Sequence, residues 1–325
     1  MAKKEVLIVG GGPAGLVASI NLVREGFEVT LADQEEQVGG NPDWHPSAHT
    51  TPLKGPATWE YIGIDCTPCF HDISESLTVV VGGESAPIER TAEPTFTCER
   101  GSRETSLDSF LYRIAVKEGV KFNFGTKIRE EDLQKTPEHT ILATGFTPAM
   151  YKTLEKPMSN YLGYHALCDH PPGEAEGCIY LGGLGKEYGY SSACNGLWYV
   201  LLFSRNELPQ ENLDYFADLV KKYEDKEIAE WRRFAGASPK SGPELIYKDR
   251  FILTGTLAGF IETNYGFGIT GALISGKIAA LAVTDRNRAR AEFDSFTGGI
   301  PAMLEKKRKG QVELGFKLGK IWFEI

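Results

Sequence analysis

Disulfide scaffolding is the first thing this chain lacks. Its six cysteines, at positions 66, 69, 98, 168, 178 and 194, are scattered through 325 residues, which is no disulfide framework and suits a reducing compartment. No apolar run approaches the length that spans a bilayer. Met1-Ala2-Lys3-Lys4 leads straight into a strand-like run, so a cytoplasmic protein with no signal peptide is expected. A net charge of −9 leaves no overall basic surface and argues against nucleic acid as the main partner. Internal repeats and low-complexity tracts are missing as well. What remains is an ordinary globular composition, 42% hydrophobic and 24% charged, long enough for one large or two medium domains.

The first forty residues organise the rest. Glu5 to Val9 is a short apolar run, followed at once by Gly10-Gly11-Gly12-Pro13-Ala14-Gly15. An Ala/Leu/Val-rich segment reaches Arg24, Gly26 stops it, and a second apolar strand from Phe27 to Ala32 ends in Asp33. Strand, glycine turn, helix, strand and acid is the order that seats a dinucleotide. Gly10 permits the tight turn, Gly12 admits a pyrophosphate against the backbone, and Gly15 lets helix and strand pack closely. The helix N-terminus favours the phosphate charge, and Asp33 is placed to accept a hydrogen bond from a ribose hydroxyl. This motif alone leaves FAD and NAD(P) both open.

Further along, Asn41 to Pro56 reads as a loop holding Trp44, His45 and His49, either lining an active site or merely connecting. Short β runs are expected at Tyr61–Ile64, Leu77–Val81, Pro87–Arg90 and Thr95–Cys98. Helical spacing from Ser106 to Glu118, closed by Gly119, precedes a strand at Val120–Phe124. Lys127 to Thr136 reads as irregular, and Thr140 to Gly145 as a buried strand ending on glycine. Met158–Cys168 and Gly177–Gly183 are strand-like, Gly182–Gly189 turn-like, and Tyr190–Phe203 a second apolar stretch. Glu211–Ala235 reads as an amphipathic helix and Ala237–Pro243 as a linker. Phe251–Gly255 is another buried strand, Thr256–Gly268 a glycine-containing turn, and Ile269–Val283 a helix.

Val6 to Asp33 resembles the FAD-binding unit of the glutathione-reductase-type flavoproteins, and Leu142-Ala143-Thr144-Gly145 is similar to the Ala-Thr-Gly strand that returns toward the adenosine there. Phe251 to Phe260, then Gly266 to Ala280, resembles their C-terminal flavin motif. The resemblance extends to the geranylgeranyl reductase family and its aromatic-hydroxylase-like relatives. Leu107-Asp108-Ser109-Phe110-Leu111 is similar to the Phe-Asp-x-x-Leu helix of that family, and Gly189-Tyr190 to its Gly-Tyr-x-Trp hairpin, without the Trp. It implies FAD as cofactor, with Gly10, Gly12, Pro13, Ala14, Gly15, Asp33, Gln34, Gly40, Arg103, Ala143, Thr144, Gly145, Gly255, Thr256, Gly266, Gly268, Ile269 and Thr270 as binding positions. Thr256 replaces the family's Asp, so a hydroxyl stands where a carboxylate meets the ribityl chain. Arg103 is one residue out of register with the family's Arg. A helix starting near Gly268 can present free N–H groups to a pyrophosphate or to the flavin edge.

The catalytic candidates are Glu262, Cys66, Cys69 and His45. Glu262 replaces part of a Pro-containing turn and either acts as a general acid or base or orders the turn. Cys66-Thr67-Pro68-Cys69 is a redox pair or two packing residues. No metal site is expected, because Cys168, Cys178 and Cys194 supply no second pair. His45 and His49 either face the flavin or play structural roles.

No second Gly-x-Gly-x-x-Gly opens a helix, so NAD(P)H docks transiently or a protein electron donor is used. The tail's Lys306-Lys307-Arg308-Lys309 with aromatics beyond suits a membrane surface or a helix packed on the protein. The fold expected is α/β: a Rossmann-like, discontinuous FAD-binding domain (roughly 1–56, 99–150 and 244–325) with a smaller β-rich substrate domain (57–98 and 151–243). The resemblance implies reduction or dehydrogenation of a carbon–carbon bond in a small hydrophobic organic substrate. A flavin monooxygenase of the aromatic-hydroxylase type and a non-catalytic electron-transfer flavoprotein are the alternatives.

Overall fold

The computed structural model of the chain describes residues 4–86, 94–182, 188–239, 246–261 and 266–297. In chain order the first elements are β1 (Glu5–Val9), α1 (Pro13–Arg24), β2 (Glu28–Ala32), β3 (Ser47–Pro52), α2 (Gly55–Ile62), β4 (Phe70–Asp72), β5 (Leu77–Val81) and β6 (Glu84–Ala86). Then come β7 (Thr95–Arg100), α3 (Leu107–Glu118), β8 (Lys121–Asn123), α4 (Glu130–Leu133), β9 (Thr140–Leu142), α5 (Pro148–Thr153), β10 (Met158–Asp169) and β11 (Glu176–Leu181). The last are β12 (Gly189–Cys194), β13 (Leu197–Ser204), α6 (Gln210–Glu224), β14 (Arg232–Pro239), β15 (Tyr247–Lys248), β16 (Phe251–Leu253), α7 (Ile269–Thr284) and α8 (Arg286–Thr297).

Among the described residues the strands form three sheets. The first, in the order β15-β16-β9-β1-β2-β8, is parallel except at β15. Its strands β1, β2, β9 and β16 carry short, mostly apolar and buried runs, as strands of a covered parallel sheet do. Helix α1 packs against both α3 and α7, and Leu16, Val17, Ala18, Ile20 and Leu22 are fully buried. Pro13 sits in the first turn of α1, where its missing N–H costs nothing. Ser106 caps α3 by accepting from the Ser109 N–H at 3.1 Å, and Gly119 ends it at φ +99°.

The second sheet, β14-β10-β13-β12-β11-β5-β6, is antiparallel apart from the β11–β5 pair. Strand β13 is apolar throughout because it serves two cores: Trp198, Val200 and Leu202 face one cluster with α6, while Leu197, Tyr199 and Leu201 face another. Asn195 and Gly196, at φ +54° and +77°, make the tight turn between β12 and β13, so the Tyr190–Phe203 stretch is a hairpin. The third sheet, β3-β7-β4, packs through β3 and β7 against β12 of the second. Its Thr97 hydroxyl meets Ser192 of β12 at 2.5 Å, and Thr50 donates to the same Ser192 oxygen at 3.2 Å.

Five readings of the sequence change. Tyr61 and Ile62 of the expected Tyr61–Ile64 run end α2, which has Pro56 in its first turn and Gly63 closing it at φ +68°; four residues are too few to tell the two periods apart. The expected loop at 41–56 contains β3, whose Ser, His and Thr residues carry no apolar signal but pair in register from Ser47 opposite Arg100 to Pro52 opposite Thr95. The expected helix at 211–235 ends at Asp225, φ +51°, and 232–239 forms β14 on the edge of the second sheet. The start of the expected linker, Ala237–Pro239, is the end of that strand. Part of the 127–136 segment is the short helix α4. The Pro87–Arg90 run, residues 183–187 of the expected Gly182–Gly189 turn and the basic tail lie outside the described residues.

Candidate active site

The carboxyl ends of β1, β2 and β9 open into a cavity of about 900 Å³, the crevice where open parallel sheets bind ligands. Gly10 and Gly12 from the turn after β1, Asp33 and Gln34 from beyond β2, and Ala143, Thr144 and Gly145 from beyond β9 line it, with Gly40 and His45. The glycines are sterically required. A Cβ on Gly10, at φ +112°, would lie 2.4 Å from the Ala143 carbonyl oxygen, and one on Gly15 would lie 2.0 Å from the Gly10 carbonyl oxygen. Gly12 has only the Arg100 guanidinium nearby, at 4.0 Å, so its space is free for a ligand. Gly15 therefore packs helix to strand while Gly12 faces the cavity.

Asp33 does more than await a ribose. Its Oδ2 accepts from the Gly11 N–H at 2.5 Å and its Oδ1 from the Glu35 N–H at 2.8 Å. The carboxylate thus holds the glycine turn in place while lining the cavity. Thr144 Oγ1 is buried there with no hydrogen-bond partner, a polar atom awaiting one.

A second chamber of about 200 Å³ continues from the first. Gly12, Trp44, His45, Arg100, Ala143, Gly145 and Phe146 line both spaces. Pro13, Ala14, Gly255, Thr256, Gly266, Gly268 and Ile269 form one side of the chamber. The opposite side is aromatic, from Tyr161, Tyr190, Tyr199, Phe203 and Phe234 of the second sheet. Trp44 stacks on Phe146 with ring centroids 5.3 Å apart and lies 4.5 Å from Phe234. Arg100 is the one charged side chain among the described residues lining this chamber.

Arg100 is the residue that sequence reasoning missed. At the end of β7 it donates from Nε at 2.6 Å and Nη2 at 2.9 Å to Asp108, which also accepts from the Gly101 N–H. Burial would raise the Asp108 carboxyl, but the guanidinium outweighs it and holds the group below the usual carboxylate range. The one hint in the sequence was Asp108 at the start of a helix just after a strand. Arg103, expected to bind FAD, lies instead on Glu99 at 3.2 Å and donates to the Asn195 carbonyl, and lines neither space.

The other candidates are dispersed. Thr270 donates to the Pro52 carbonyl at 3.1 Å and lines neither cavity. Cys66 and Cys69 are buried in the first core, where burial pushes the Cys69 thiol up to about 12 and the Cys66 thiol higher still; neither reaches the chamber. Glu262 lies outside the described residues. His45 and His49 do line the chamber, and burial, reinforced by Arg100, lowers them to about 4 and about 3. Both rings are neutral near pH 7.

Residues 8–55 match the model of an NAD(P)-binding Rossmann-like domain. The digeranylgeranylglycerophospholipid reductase of Methanococcus vannielii is 22% identical, over 87% of this chain and 78% of its own length. A geranylgeranyl bacteriochlorophyll reductase-like protein from Thermoplasma acidophilum superposes with a TM-score of 0.63 at 17% identity, covering 94% of this chain and 84% of that one. A variant of 2-methyl-3-hydroxypyridine-5-carboxylic acid oxygenase gives 0.64 at 13%, covering 94% and 89%. The fold is the one these reductases and oxygenases share. A flavin-containing monooxygenase of Arabidopsis thaliana is 42% identical over 53 residues, 16% of this chain and 12% of that protein. Within this flavoprotein fold the residues present fit an FAD: the Gly12 space, the unpartnered Thr144 hydroxyl and the Arg100 cation suit its phosphates and sugar. Among the described residues no helix is long and apolar enough to cross a membrane.

Proposed function

We propose that this chain is an FAD-dependent oxidoreductase that reduces or dehydrogenates a carbon–carbon bond of a small hydrophobic organic substrate. The observation that carries the reading is the continuity of the two spaces: a glycine-built crevice suited to a dinucleotide runs past Arg100 into a chamber walled by aromatic rings. FAD, when bound, supplies hydride transfer. The chain's own share is to bind, orient and exclude water. Gly10, Gly12, Asp33 and Thr144 would hold the adenosine and pyrophosphate, and Arg100 would offset the phosphate charge. Gly255, Thr256, Gly266, Gly268 and Ile269 would border the ring system. The discontinuous division into an FAD-binding part (1–56, 99–150, 244–325) and a substrate part (57–98, 151–243) is part of the proposal. It is supported by the chamber's aromatic wall, which comes largely from β10, β12, β13 and β14.

NAD(P)H or a protein would supply electrons, and a cytoplasmic location suits the six free cysteines. A monooxygenase acting on an aromatic ring is the second reading, favoured by Trp44, Phe146 and Tyr161 as a stacking surface.

The test is to express the full chain and record its absorption, then mix the reduced protein with dioxygen in stopped flow. Yellow protein that reoxidises slowly supports the reductase. Fast reoxidation supports the monooxygenase. Colourless protein that takes up no FAD on soaking overturns both.

A further inference from the structure

We infer that His45, Ser47, His49 and Tyr190 form a proton relay between the water of the larger cavity and the aromatic chamber, with Tyr190 Oη at its inner end. Strand β3 places Ser47 and His49 two residues apart, on one face of the strand, and β12 brings Tyr190 beside them. The contacts are continuous. His45 Nδ1 lies 2.9 Å from Ser47 Oγ, Ser47 Oγ 2.9 Å from His49 Nε2, and His49 Nδ1 3.2 Å from Tyr190 Oη. His45 lines both spaces, so its Nε2 is the nitrogen left for cavity water, while Tyr190 lines only the chamber.

One set of donor directions satisfies every contact and leaves a proton free for the chamber. His45 Nδ1–H donates to Ser47 Oγ, the Ser47 hydroxyl to His49 Nε2, and His49 Nδ1–H to Tyr190 Oη, which leaves the Tyr190 proton for a ligand in the chamber. Transfer then balances with no charge left on the relay residues, the hydroxide formed from cavity water passing to solvent. Tyr190 gives its proton to the ligand and takes one from His49 Nδ1. His49 Nε2 takes one from Ser47, Ser47 takes one from His45 Nδ1, and His45 Nε2 takes one from cavity water. Each imidazole exchanges one neutral tautomer for the other. Burial favours this neutral mode twice over: it holds both rings in the uncharged form and pushes the Tyr190 hydroxyl well above its ordinary range, so the phenol releases its proton only as another arrives.

The use of this proton, to complete a substrate bond formed by hydride addition, rests on the function proposed above. The relay itself does not, and its test needs neither substrate nor FAD. In the full chain labelled with ¹⁵N-histidine, NMR reads the ring tautomers and the exchange of the His49 ring N–H with water. Both rings should be neutral with the proton on Nδ1, and the buried His49 N–H should exchange rapidly. Ser47→Ala should slow that exchange at least tenfold, and Ser47→Thr, which keeps the hydroxyl, should restore it. Equal rates in all three proteins, or an imidazolium at either ring, would overturn the relay. Should Ser47→Ala fail to fold, slow exchange in the wild type or in Ser47→Thr would overturn it equally. Protein that shows the relay but binds no FAD would sink the functional reading alone.

Discussion

Arg100 and Asp108 hold the site together at the level of single residues. Asp108 is buried, with its carboxylate accepting both guanidinium bonds and the Gly101 N–H. Arg100→Met removes the cation and leaves that charge uncompensated, which costs about 3–5 kcal/mol of stability. Adding Asp108→Leu should recover most of it, since an apolar pair of similar volume needs no partner. FAD affinity should stay low in both variants, by about ten- to a hundredfold, because a charged hydrogen bond contributes about 1.5–3 kcal/mol. Urea titration and flavin fluorescence separate the two effects. Recovery of both together would mean that Arg100 acts only as scaffold. The residues around the glycine turn were legible because strand, turn and acid follow one another in the chain. Arg100 was not, since helix-start spacing pointed to Arg103, and only the course of β7 shows which side chain stays with the cavity. The aromatic wall was illegible for a related reason: Trp44, Phe146, Tyr161, Tyr190 and Phe234 meet only through the packing of three sheets.

At the scale of elements, β1, α1, β2, α3, β9, β16 and α7 follow from apolar runs, caps and glycine stops, each signal lying within a dozen residues. Elements whose pattern depends on a distant partner were misread. Strand β3 is polar because it packs hydroxyls against the second sheet, and β14 is an edge strand carrying arginines. The turns before and after α1 offer a direct comparison of two glycines at positive φ. Gly10 faces the Ala143 carbonyl, whereas Gly26, at φ +87°, has nothing within 4 Å of an added Cβ. Gly26→Ala should cost only the backbone strain, about 1 kcal/mol, and leave FAD binding intact. Gly10→Ala carries the same strain and also pushes β9 from β1, so its loss should reach about 3 kcal/mol or more and abolish tight FAD binding. Thermal melts with and without FAD read both. Similar behaviour of the two variants would show that the β1–β9 approach is unimportant to the crevice.

For the whole molecule, the buried histidines set how folding free energy responds to acid. His45, His49, His165 and His170 are all lowered, each chiefly by burial, His45 to about 4 and His49 to about 3. Above pH 6.5 these rings are neutral in both folded and unfolded chains and contribute no slope. Below it the unfolded chain binds protons that the folded chain refuses, so stability falls as pH drops from 6.5 toward 4, by up to about 1.4 kcal/mol per pH unit for each of His45 and His49, with His165 and His170 acting in the same direction. Asp108, lowered in the fold, adds to this loss further toward acid, below the ordinary carboxylate range. Glu224 acts in the opposite sense. It is buried at the end of α6, accepting from Ser191 at 2.6 Å and Trp198 at 2.8 Å and from the Tyr180 hydroxyl. Burial raises it despite these donors, so its share of stability is present at acid pH and lost as pH rises through its raised value. The large lowering of His45 and His49 makes the acid loss dominant. Urea titrations at pH 7.5, 6 and 5 should therefore give falling midpoints, and His49→Gln should flatten the fall by about one proton's worth. A slope unchanged by that substitution would mean His49 is protonated in the folded chain, in conflict with the neutral environment that burial and Arg100 create around it.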